Sequence, residues 1–326
     1  MRLHSSRARS VLYGLASFGV CLALAGSAGA VIIDSGDGTG NTSAPADDPG
    51  WKYVGARWAS GAVYLGNGWV VTANHVGPGD VNLDGVSYPY VPDSKIRIDD
   101  GMGNLADLIV FQIDPAPAWA LLPINGEPDI SGEPVIMIGR GKGRGASQTA
   151  CHPTKNGYLW LLTSQTMRWG ENLVDAYENV DDTDAFSTLF DQSGLTHEAQ
   201  AALGDSGGGV FVKNGGQWEL AGVMFATLEP GCVQPPDSAF HGNLTYASDL
   251  AAYREQIISI VRPECADEID NDGDLLVDYP DDPDCTDEFD DQEKGPLVPS
   301  ASPGGLAALA ALLLTSGGLE RRRRLR

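Results

Sequence analysis

The chain contains 326 residues and carries a formal net charge of −23 at pH 7, from 44 acidic against 21 basic residues. Binding to phosphate groups needs a basic face, so this balance argues against a nucleic-acid partner. Much of the negative charge lies between residues 264 and 293, where no lysine or arginine occurs. The charge therefore excludes one class of partner and says little about the centre of the chain.

The first thirty residues are typical of a secretory signal peptide. Three arginines precede an apolar run over residues 11–26, and the tripeptide Ala28-Gly29-Ala30 follows. A basic start, an apolar centre and small residues in an A-x-A-like pattern predict cleavage after Ala30. The alternative, a retained membrane anchor, would need a longer apolar stretch without a cleavage site.

Removal of that segment leaves four cysteines, which in an exported protein allow three disulfide pairings. Cys265 and Cys285 bracket one short acidic segment, so a local bridge between them is the simplest pairing. A bridge between Cys151 and Cys232 then follows by elimination. The alternative, a metal site, lacks the close Cys-x-x-Cys spacing that zinc ligands usually show.

The remaining chain divides into four regions by composition. Its predicted parts are a turn-rich lead-in over 31–50, a globular body over 51–262, an acidic segment over 263–295 and a C-terminal tail over 296–326. The body contains short, β-rich apolar segments separated by Gly, Pro, Asn and Asp, which predicts an all-β sandwich or barrel. About 210 residues suffice for one large β domain or two small barrels.

One helix is predicted at the end of the body. Ser248 or Asp249 would cap its first turn, and Pro263 would end it. Apolar residues recur between them at helical spacing, namely Leu250, Tyr253, Ile257, Ile258 and Val261.

The strongest chemical signal is the string Gly204-Asp205-Ser206-Gly207-Gly208. A nucleophilic serine needs an exposed side chain at a tight turn, with backbone N–H groups aimed at the developing oxyanion. Glycines on both sides permit that turn and let a substrate carbonyl approach the backbone closely. A Gly-Ser loop in an unrelated β protein is the alternative that this string alone leaves open.

A second signal lies upstream, where a histidine follows an apolar strand in Trp69-Val70-Val71-Thr72-Ala73-Asn74-His75. A base at His75 can take the serine proton and later give it to the leaving amine. A lone histidine there would be a polar loop residue, but its pairing with the downstream serine string favours catalysis.

Together the two segments resemble the trypsin-like (chymotrypsin-fold) serine peptidases, whose catalytic residues follow the order His, Asp, Ser. The family motif Thr-Ala-Ala-His corresponds to Thr72-Ala73-Asn74-His75, with Asn74 as the departure, and residues 204–208 match Gly-Asp-Ser-Gly-Gly. The resemblance spans residues 61–261. It implies two packed six-stranded antiparallel β-barrels with a C-terminal helix, a site between the barrels, and protein or peptide substrates cleaved without a cofactor.

The resemblance assigns the acid of the catalytic triad to Asp107, which precedes a buried apolar strand. This carboxylate would orient His75 and stabilise its protonated form. Asp93, Asp99 and Asp100 are nearby competitors with a worse local context. A carboxylate before a strand also suits a cap or turn residue.

By the same resemblance, the backbone N–H groups of Gly204 and Ser206 would form the oxyanion hole. Gln200 stands where the family often floors its substrate pocket, and Phe225-Ala226-Thr227 would line that pocket. No acidic residue stands at the floor position, so we predict a preference for uncharged residues. The lining strand lacks the family's Ser-Trp-Gly, whose serine normally supports the triad aspartate.

Asp205 should point inward and need a cationic partner, because an unpaired buried carboxylate is strongly destabilising. In zymogen-activated members of the family that partner is a freshly cut, branched N-terminal residue. Cleavage after Ala30 would expose Val31-Ile32-Ile33, so secretion itself would complete the oxyanion hole. A nearby arginine is the competing partner.

The acidic segment alternates oxygen-bearing side chains before a glycine turn, as a calcium loop does. It is not an EF-hand, because Tyr279 occupies the twelfth position. It resembles Asp-Asn-Asp-Gly modules near the C-termini of bacterial surface proteins, and a Cys265–Cys285 bridge would close it. The alternative is a solvated acidic spacer without a metal. The candidate calcium ligands are Glu268, Asp270, Asp272 and Asp274.

The tail resembles bacterial sorting signals of the PEP-CTERM type: a Pro/Ser motif over 298–303, an apolar span over 304–319, and terminal arginines. The Pro-Glu-Pro triplet is absent, which implies a variant signal. This resemblance implies a sorting transpeptidase as partner, membrane contact through the tail, and a location outside the cell or on the surface or outer envelope of a bacterium. A plain C-terminal anchor is the alternative.

The sequence therefore predicts a secreted, surface-attached serine endopeptidase that acts through a His-Asp-Ser triad and an acyl-enzyme. A catalytically silent trypsin-like fold used as an extracellular binding domain is the first alternative. An unrelated surface β protein is the second. The presence of both His75 and Ser206 favours the enzyme.

Overall fold

A computed structural model of the chain describes residues 30–150, 154–161, 166–229, 231, 233–286, 290 and 293. Within them lie eighteen strands and one α-helix, with 3₁₀ helices at Trp51–Tyr53 and Glu264–Ala266. The elements are β1 (Ile32–Ile33), β2 (Val54–Arg57), β3 (Ser60–Gly66), β4 (Trp69–Thr72), β5 (Val81–Leu83), β6 (Val86–Tyr88), β7 (Ile96–Asp99), β8 (Leu105–Gln112), β9 (Pro134–Gly139), β10 (Gly143–Ala150), β11 (Lys155–Leu161), β12 (Arg168–Val180), β13 (Thr183–Leu189), β14 (Ala199–Gln200), β15 (Gly209–Asn214), β16 (Gln217–Leu228), β17 (Ser238–Phe240), β18 (Leu244–Asp249) and α1 (Arg254–Val261).

Six strands form a closed antiparallel barrel in the order β12-β13-β18-β16-β15-β9. The first half of β12 alternates buried with less buried residues, because successive side chains of a strand point to opposite faces. Large apolar side chains fill the core of the barrel, including Met137, Phe186, Val210, Val212 and Met224. The predicted six-stranded barrel is therefore present in the C-terminal half of the body.

The N-terminal half forms a seven-stranded sheet in the order β6-β5-β2-β3-β4-β8-β7. Most of β8 is buried, since the sheet packs on both faces. One apolar cluster joins the sheet to the barrel and to α1, through Val110, Phe211 and Ile257 among others. The prediction of a mostly β fold with one closing helix is confirmed. Closure of the sheet into a second six-stranded barrel stays a prediction.

The helix begins later than the sequence indicates. Ser248 and Asp249 finish strand β18, where they pair with β16, so neither caps the helix. The helix runs over Arg254–Val261, and Arg262 is already extended before Pro263, as expected for a residue that precedes proline. The predicted end is thus correct and the predicted start is wrong, because tertiary strand pairing outweighs local capping preference.

Two short segments pack against the body, the lead-in against the barrel and the acidic segment against α1. In the lead-in, Val31 and the two residues of β1 are buried, and β1 pairs with β14, just before the serine loop. In the acidic segment, the predicted Cys265–Cys285 disulfide is confirmed.

Residues 1–29, Cys151, Cys232 and the tail lie outside the described residues, and the predicted region boundaries stay predictions. No helix in the described part of the chain is long and apolar enough to cross a membrane.

Candidate active site

His75 and Asp107 form a hydrogen-bonded pair. His75 follows β4 and Asp107 lies in β8, two neighbouring strands of the seven-stranded sheet. His75 Nδ1 lies 2.6 Å from Asp107 Oδ2, and the His75 backbone N–H donates to Oδ1 at 2.9 Å. The hydrogen bond to Asp107 raises the pKa of His75 above its usual value, against the opposing effect of burial. A proton held on Nδ1 leaves Nε2 free to act as a base.

The Asp107 backbone is held by the barrel as well as by its own sheet. Its N–H donates to Thr183 Oγ1 at 2.8 Å, and Thr183 begins strand β13. The Asn74 N–H donates to the Asp107 carbonyl at 3.2 Å. Thr183 was not predicted, because a threonine 76 positions away gives no local signal of this contact.

The loop around Ser206 is a tight turn in which most backbone N–H groups donate hydrogen bonds. The N–H groups of Asp205, Gly207 and Gly208 donate to carbonyl oxygens at 2.7–3.0 Å. In the described part of the chain, the N–H groups of Gly204 and Ser206 have no acceptor. These two groups are therefore free for a developing oxyanion, in the pattern predicted from the sequence.

Glycine is required on both sides of Ser206. Gly204 and Gly207 adopt φ values of 95° and 84°, which favour glycine. A Cβ atom at Gly207 would also collide with the Gly61 carbonyl oxygen, which accepts a hydrogen bond from Thr72 Oγ1 at 2.8 Å. Because the Gly61 N–H donates to the Ser206 carbonyl at 2.8 Å, the sheet holds the Ser206 loop against the barrel.

Asp205 points inward and is fully buried. Its carboxylate accepts the backbone N–H groups of Gly141 at 2.7 Å and Ala202 at 2.8 Å. Burial raises the pKa of Asp205 to about 7. The attraction of Arg168 opposes this shift, but the ion pairs of the described residues include none between the two. The predicted arginine partner is thus nearby without forming an ion pair.

A cavity of about 260 Å³ brings the predicted nucleophile and base together. The predicted pocket residues Phe225, Ala226 and Thr227 belong to its wall, whereas Gln200 is buried in β14 opposite Ile32. Apart from His75, no lining residue is ionisable. The lining residues are His75, Trp160, Ala201, Ala202, Leu203, Ser206, Met224, Phe225, Ala226 and Thr227.

The described residues show no hydrogen bond between the side chains of His75 and Ser206. Catalytic hydrogen bonds are often long in proteins without substrate and shorten only in the complex. The arrangement therefore places the predicted nucleophile and the predicted base at one cavity, with the hydrogen bond between His75 and Asp107 already formed.

The model of the trypsin-like peptidase domain family matches residues 59–223, about half of the chain. This match includes His75, Asp107 and Ser206. The chain belongs to the trypsin-like peptidase domain family. No curated protein matches it.

Two solved structures are similar to this trypsin-like chain. One is a mutant of human heparin binding protein (CAP37), at 14% identity, with 64% of this chain and 91% of that chain covered and a TM-score of 0.45. The other is the protease Rv3671c in an inactive form, at 14% identity, with 62% of this chain and 83% of that chain covered and a TM-score of 0.38.

The raised pKa of His75 predicts how peptide hydrolysis by the trypsin-like site depends on pH. The predicted base, His75, would work only when neutral, so we expect kcat/KM to rise with pH along an acid limb whose apparent pKa lies above 6.5. A pH profile of kcat/KM on a peptide substrate measures this limb. A limb at or below pH 6.5 would contradict the strong His75–Asp107 hydrogen bond.

The four candidate calcium ligands divide into two groups. Glu268 forms ion pairs with Arg254 and Arg262, with O–N distances of 2.6–2.9 Å, and so docks the acidic segment on α1. The other three each have a carboxylate oxygen within 4.8 Å of the others. These three are Asp270, Asp272 and Asp274.

Proposed function

We propose that this member of the trypsin-like family is a secreted, surface-attached serine endopeptidase. Ser206 attacks the scissile carbonyl while His75 Nε2 takes the hydroxyl proton. Asp107 keeps the imidazole in the required tautomer and stabilises the imidazolium that forms. The N–H groups of Gly204 and Ser206 bind the oxyanion. His75 then gives its proton to the leaving amine, and water hydrolyses the acyl-enzyme by the same steps.

One observation carries this proposal. A His75–Asp107 hydrogen bond of 2.6 Å lies beside a cavity that Ser206 also lines. A histidine at a strand end without a catalytic role would not be expected both to bond a carboxylate and to line the same cavity as a serine that lies between glycines. Substrates enter as extended peptides, since an endopeptidase must place chain on both sides of the scissile bond.

The cavity wall supports a preference for uncharged substrate side chains. Ala201, Ala202 and Ala226 are small and apolar, and Phe225 adds an aromatic wall. A charged side chain there would lose its hydration without gaining an ion pair. Incubation with a mixture of peptides, followed by mass spectrometry, should reveal internal cleavage after uncharged residues.

A catalytically silent binding domain is the competing function. It is supported by the absence of a hydrogen bond between His75 and Ser206 among the described residues. Absence of any internal cleavage in the peptide mixture, by folded protein with a free Val31, would favour this alternative.

Export and surface attachment are part of the proposal and rest on the two ends of the sequence. The signal peptide would be removed after Ala30, and the PEP-CTERM-like tail would be recognised by a sorting transpeptidase. The catalytic domain would then act outside the cell, on the surface or outer envelope of a bacterium.

Removal of the signal peptide would also activate the enzyme. Val31 and Ile32 are fully buried, and β1 pairs with β14, six residues before Ser206 in sequence. Asp205 is buried without an ion pair among the described residues, so a new amino group at Val31 would supply the missing positive charge. The resulting pair would hold the Gly204 and Ser206 N–H groups in place.

One extra residue before Val31 is therefore expected to lower kcat/KM by about 10²-fold or more, the usual effect of losing an oxyanion donor. The measurement compares peptide hydrolysis by protein that begins at Val31 with protein that begins one glycine earlier.

A Val31→Ile variant is the matched control, because it keeps a free amino group on a branched residue. It should retain nearly full activity. Equal activity of the extended protein and the control would show that Asp205 needs no chain terminus, and would leave Arg168 as its partner.

A further inference from the structure

The acidic segment is folded against the peptidase domain rather than extended from it. The Cys265–Cys285 bridge closes the segment into a loop. Glu268 attaches it to α1 through Arg254 and Arg262. These two arginines are therefore already paired, and the sequence between residues 264 and 293 contains no other cation.

Two clusters of carboxylates meet in this loop and share Asp274. One oxygen from each of Asp270, Asp272 and Asp274 lies within 4.8 Å of the others, and the same holds for Asp274, Asp282 and Asp284. Carboxylates at such separations repel one another strongly unless a cation or protons compensate them.

The second observation is a buried carboxylate oxygen that lacks a partner. Asp282 is 1% exposed. One of its oxygens accepts the Asp284 N–H at 2.7 Å, but Oδ2 has no hydrogen-bond partner among the described residues. Desolvation of an uncompensated carboxylate costs several kcal/mol. In a solvated acidic spacer the Asp282 side chain would be exposed to water. A metal site would instead bury it, with the free oxygen available to the cation.

Asp282 also faces a further buried carboxylate. Glu293 is fully buried, and it lies within 4.8 Å of both Asp282 and the sulfur of Cys285. The two oxygens of Glu293 accept the N–H groups of Asn271 and Asp278. These bonds tie Glu293 to the acidic loop, so Asp282 has acidic neighbours from Asp274 and Asp284 as well as from Glu293.

We propose that this loop is a calcium site, centred between Asp274, Asp282 and Asp284, with Asp270 and Asp272 beside it. The donors are all oxygens, because Cys285 is in a disulfide and no histidine lies in the segment. Oxygen donors in an irregular loop suit Ca²⁺, which accepts six to eight ligands in flexible geometry, better than Mg²⁺ or Zn²⁺. This site is separate from the peptidase activity.

Calcium binding would make the segment a rigid connection between the catalytic domain and the tail. Without the cation, repulsion between Asp274, Asp282 and Asp284 opposes the folded loop, which the disulfide, the Glu268 ion pairs and the hydrogen bonds of Glu293 still hold together. With the cation bound between the carboxylates, the loop would also be held at its centre, in addition to the disulfide and the Glu268 ion pairs. This part of the proposal rests on the extracellular location proposed above, where calcium-binding modules have Kd values of about 10⁻⁴–10⁻³ M.

The test is calorimetric titration of chelator-treated full-length protein with CaCl₂ and, separately, with MgCl₂. We expect calcium binding with a Kd of about 10⁻³ M or tighter and a weaker or absent response to magnesium. An Asp282→Asn variant should weaken calcium binding by about tenfold or more, since it removes one ligand charge. Asp281→Asn is the matched control, because Asp281 is exposed and belongs to neither cluster.

An Asp274→Asn variant keeps the test decisive if Asp282→Asn fails to fold. Asp274 is exposed, so its replacement leaves the fold intact, yet it belongs to both clusters and should weaken binding by a similar factor. No calcium binding up to about 10 mM, equal affinity for magnesium, or equal effects of Asp274→Asn and Asp281→Asn would overturn the proposal. Peptide hydrolysis by the same preparation reports separately on the peptidase function.

Discussion

Replacement of Ser206 by alanine is expected to lower kcat for peptide hydrolysis by about 10⁶-fold, with little change in KM. The variant keeps the cavity and the oxyanion donors but has no atom that can form the acyl-enzyme. Residual catalysis would come only from binding and from the Gly204 and Ser206 N–H groups, which the backbone still supplies. Steady-state kinetics on a cleaved peptide measures the change.

Ser259→Ala is the matched control for this variant. Ser259 is exposed on α1, and its hydroxyl bonds only the Gln256 carbonyl at 2.9 Å among the described residues. We expect it to leave kcat unchanged. A loss of less than about tenfold in Ser206→Ala would mean that another group is the nucleophile.

Replacement of Asp107 by asparagine is expected to lower kcat by about 10⁴-fold, the second largest effect. An amide can keep the geometry but removes the negative charge that holds the proton on His75 Nδ1 and stabilises the imidazolium. The acid limb of the kcat/KM profile should also move to lower pH, because the hydrogen bond to Asp107 is the main cause of the raised His75 pKa. Both parameters come from one pH series.

Asp93→Asn is the control, since Asp93 is an exposed acidic residue that sequence alone left as a competitor. It should leave both kcat and the acid limb unchanged. If Asp93→Asn and Asp107→Asn behaved alike, the acid of the triad would not be Asp107.

The residues that meet at the candidate site could be predicted, because Ser206 and His75 have strong local signals and the family resemblance then points to Asp107. Ser206 lies between glycines that the tight turn requires, and His75 follows a buried strand. Asp107 was expected to precede an apolar strand; the structure places it inside β8 and pairs it with His75 at 2.6 Å. The alternation of short apolar segments likewise predicted the β fold, and the spacing of two cysteines predicted the Cys265–Cys285 bridge.

The residues that support this centre could not be predicted, because their roles arise from contacts between distant segments. Thr183, in the barrel, accepts a hydrogen bond from the Asp107 backbone N–H in the neighbouring sheet. The burial of Arg168 could not be predicted either, because most arginines in strands are exposed and the sequence gives no sign that this one is not. Glu268 was a candidate calcium ligand beside Asp270, and the structure pairs it with Arg254 of α1 and with Arg262, which follows α1. The start of α1 was misplaced for a related reason, since pairing of β18 with its neighbours is non-local.

The most direct test of the central claim is labelling of the purified protein, starting at Val31, with a fluorophosphonate probe. Such a probe needs an activated serine and a working oxyanion hole, but no knowledge of the substrate. We predict labelling of the wild-type protein at Ser206 and none of Ser206→Ala. Folded wild-type protein that remains unlabelled would contradict the account of an active serine peptidase and favour a silent binding domain.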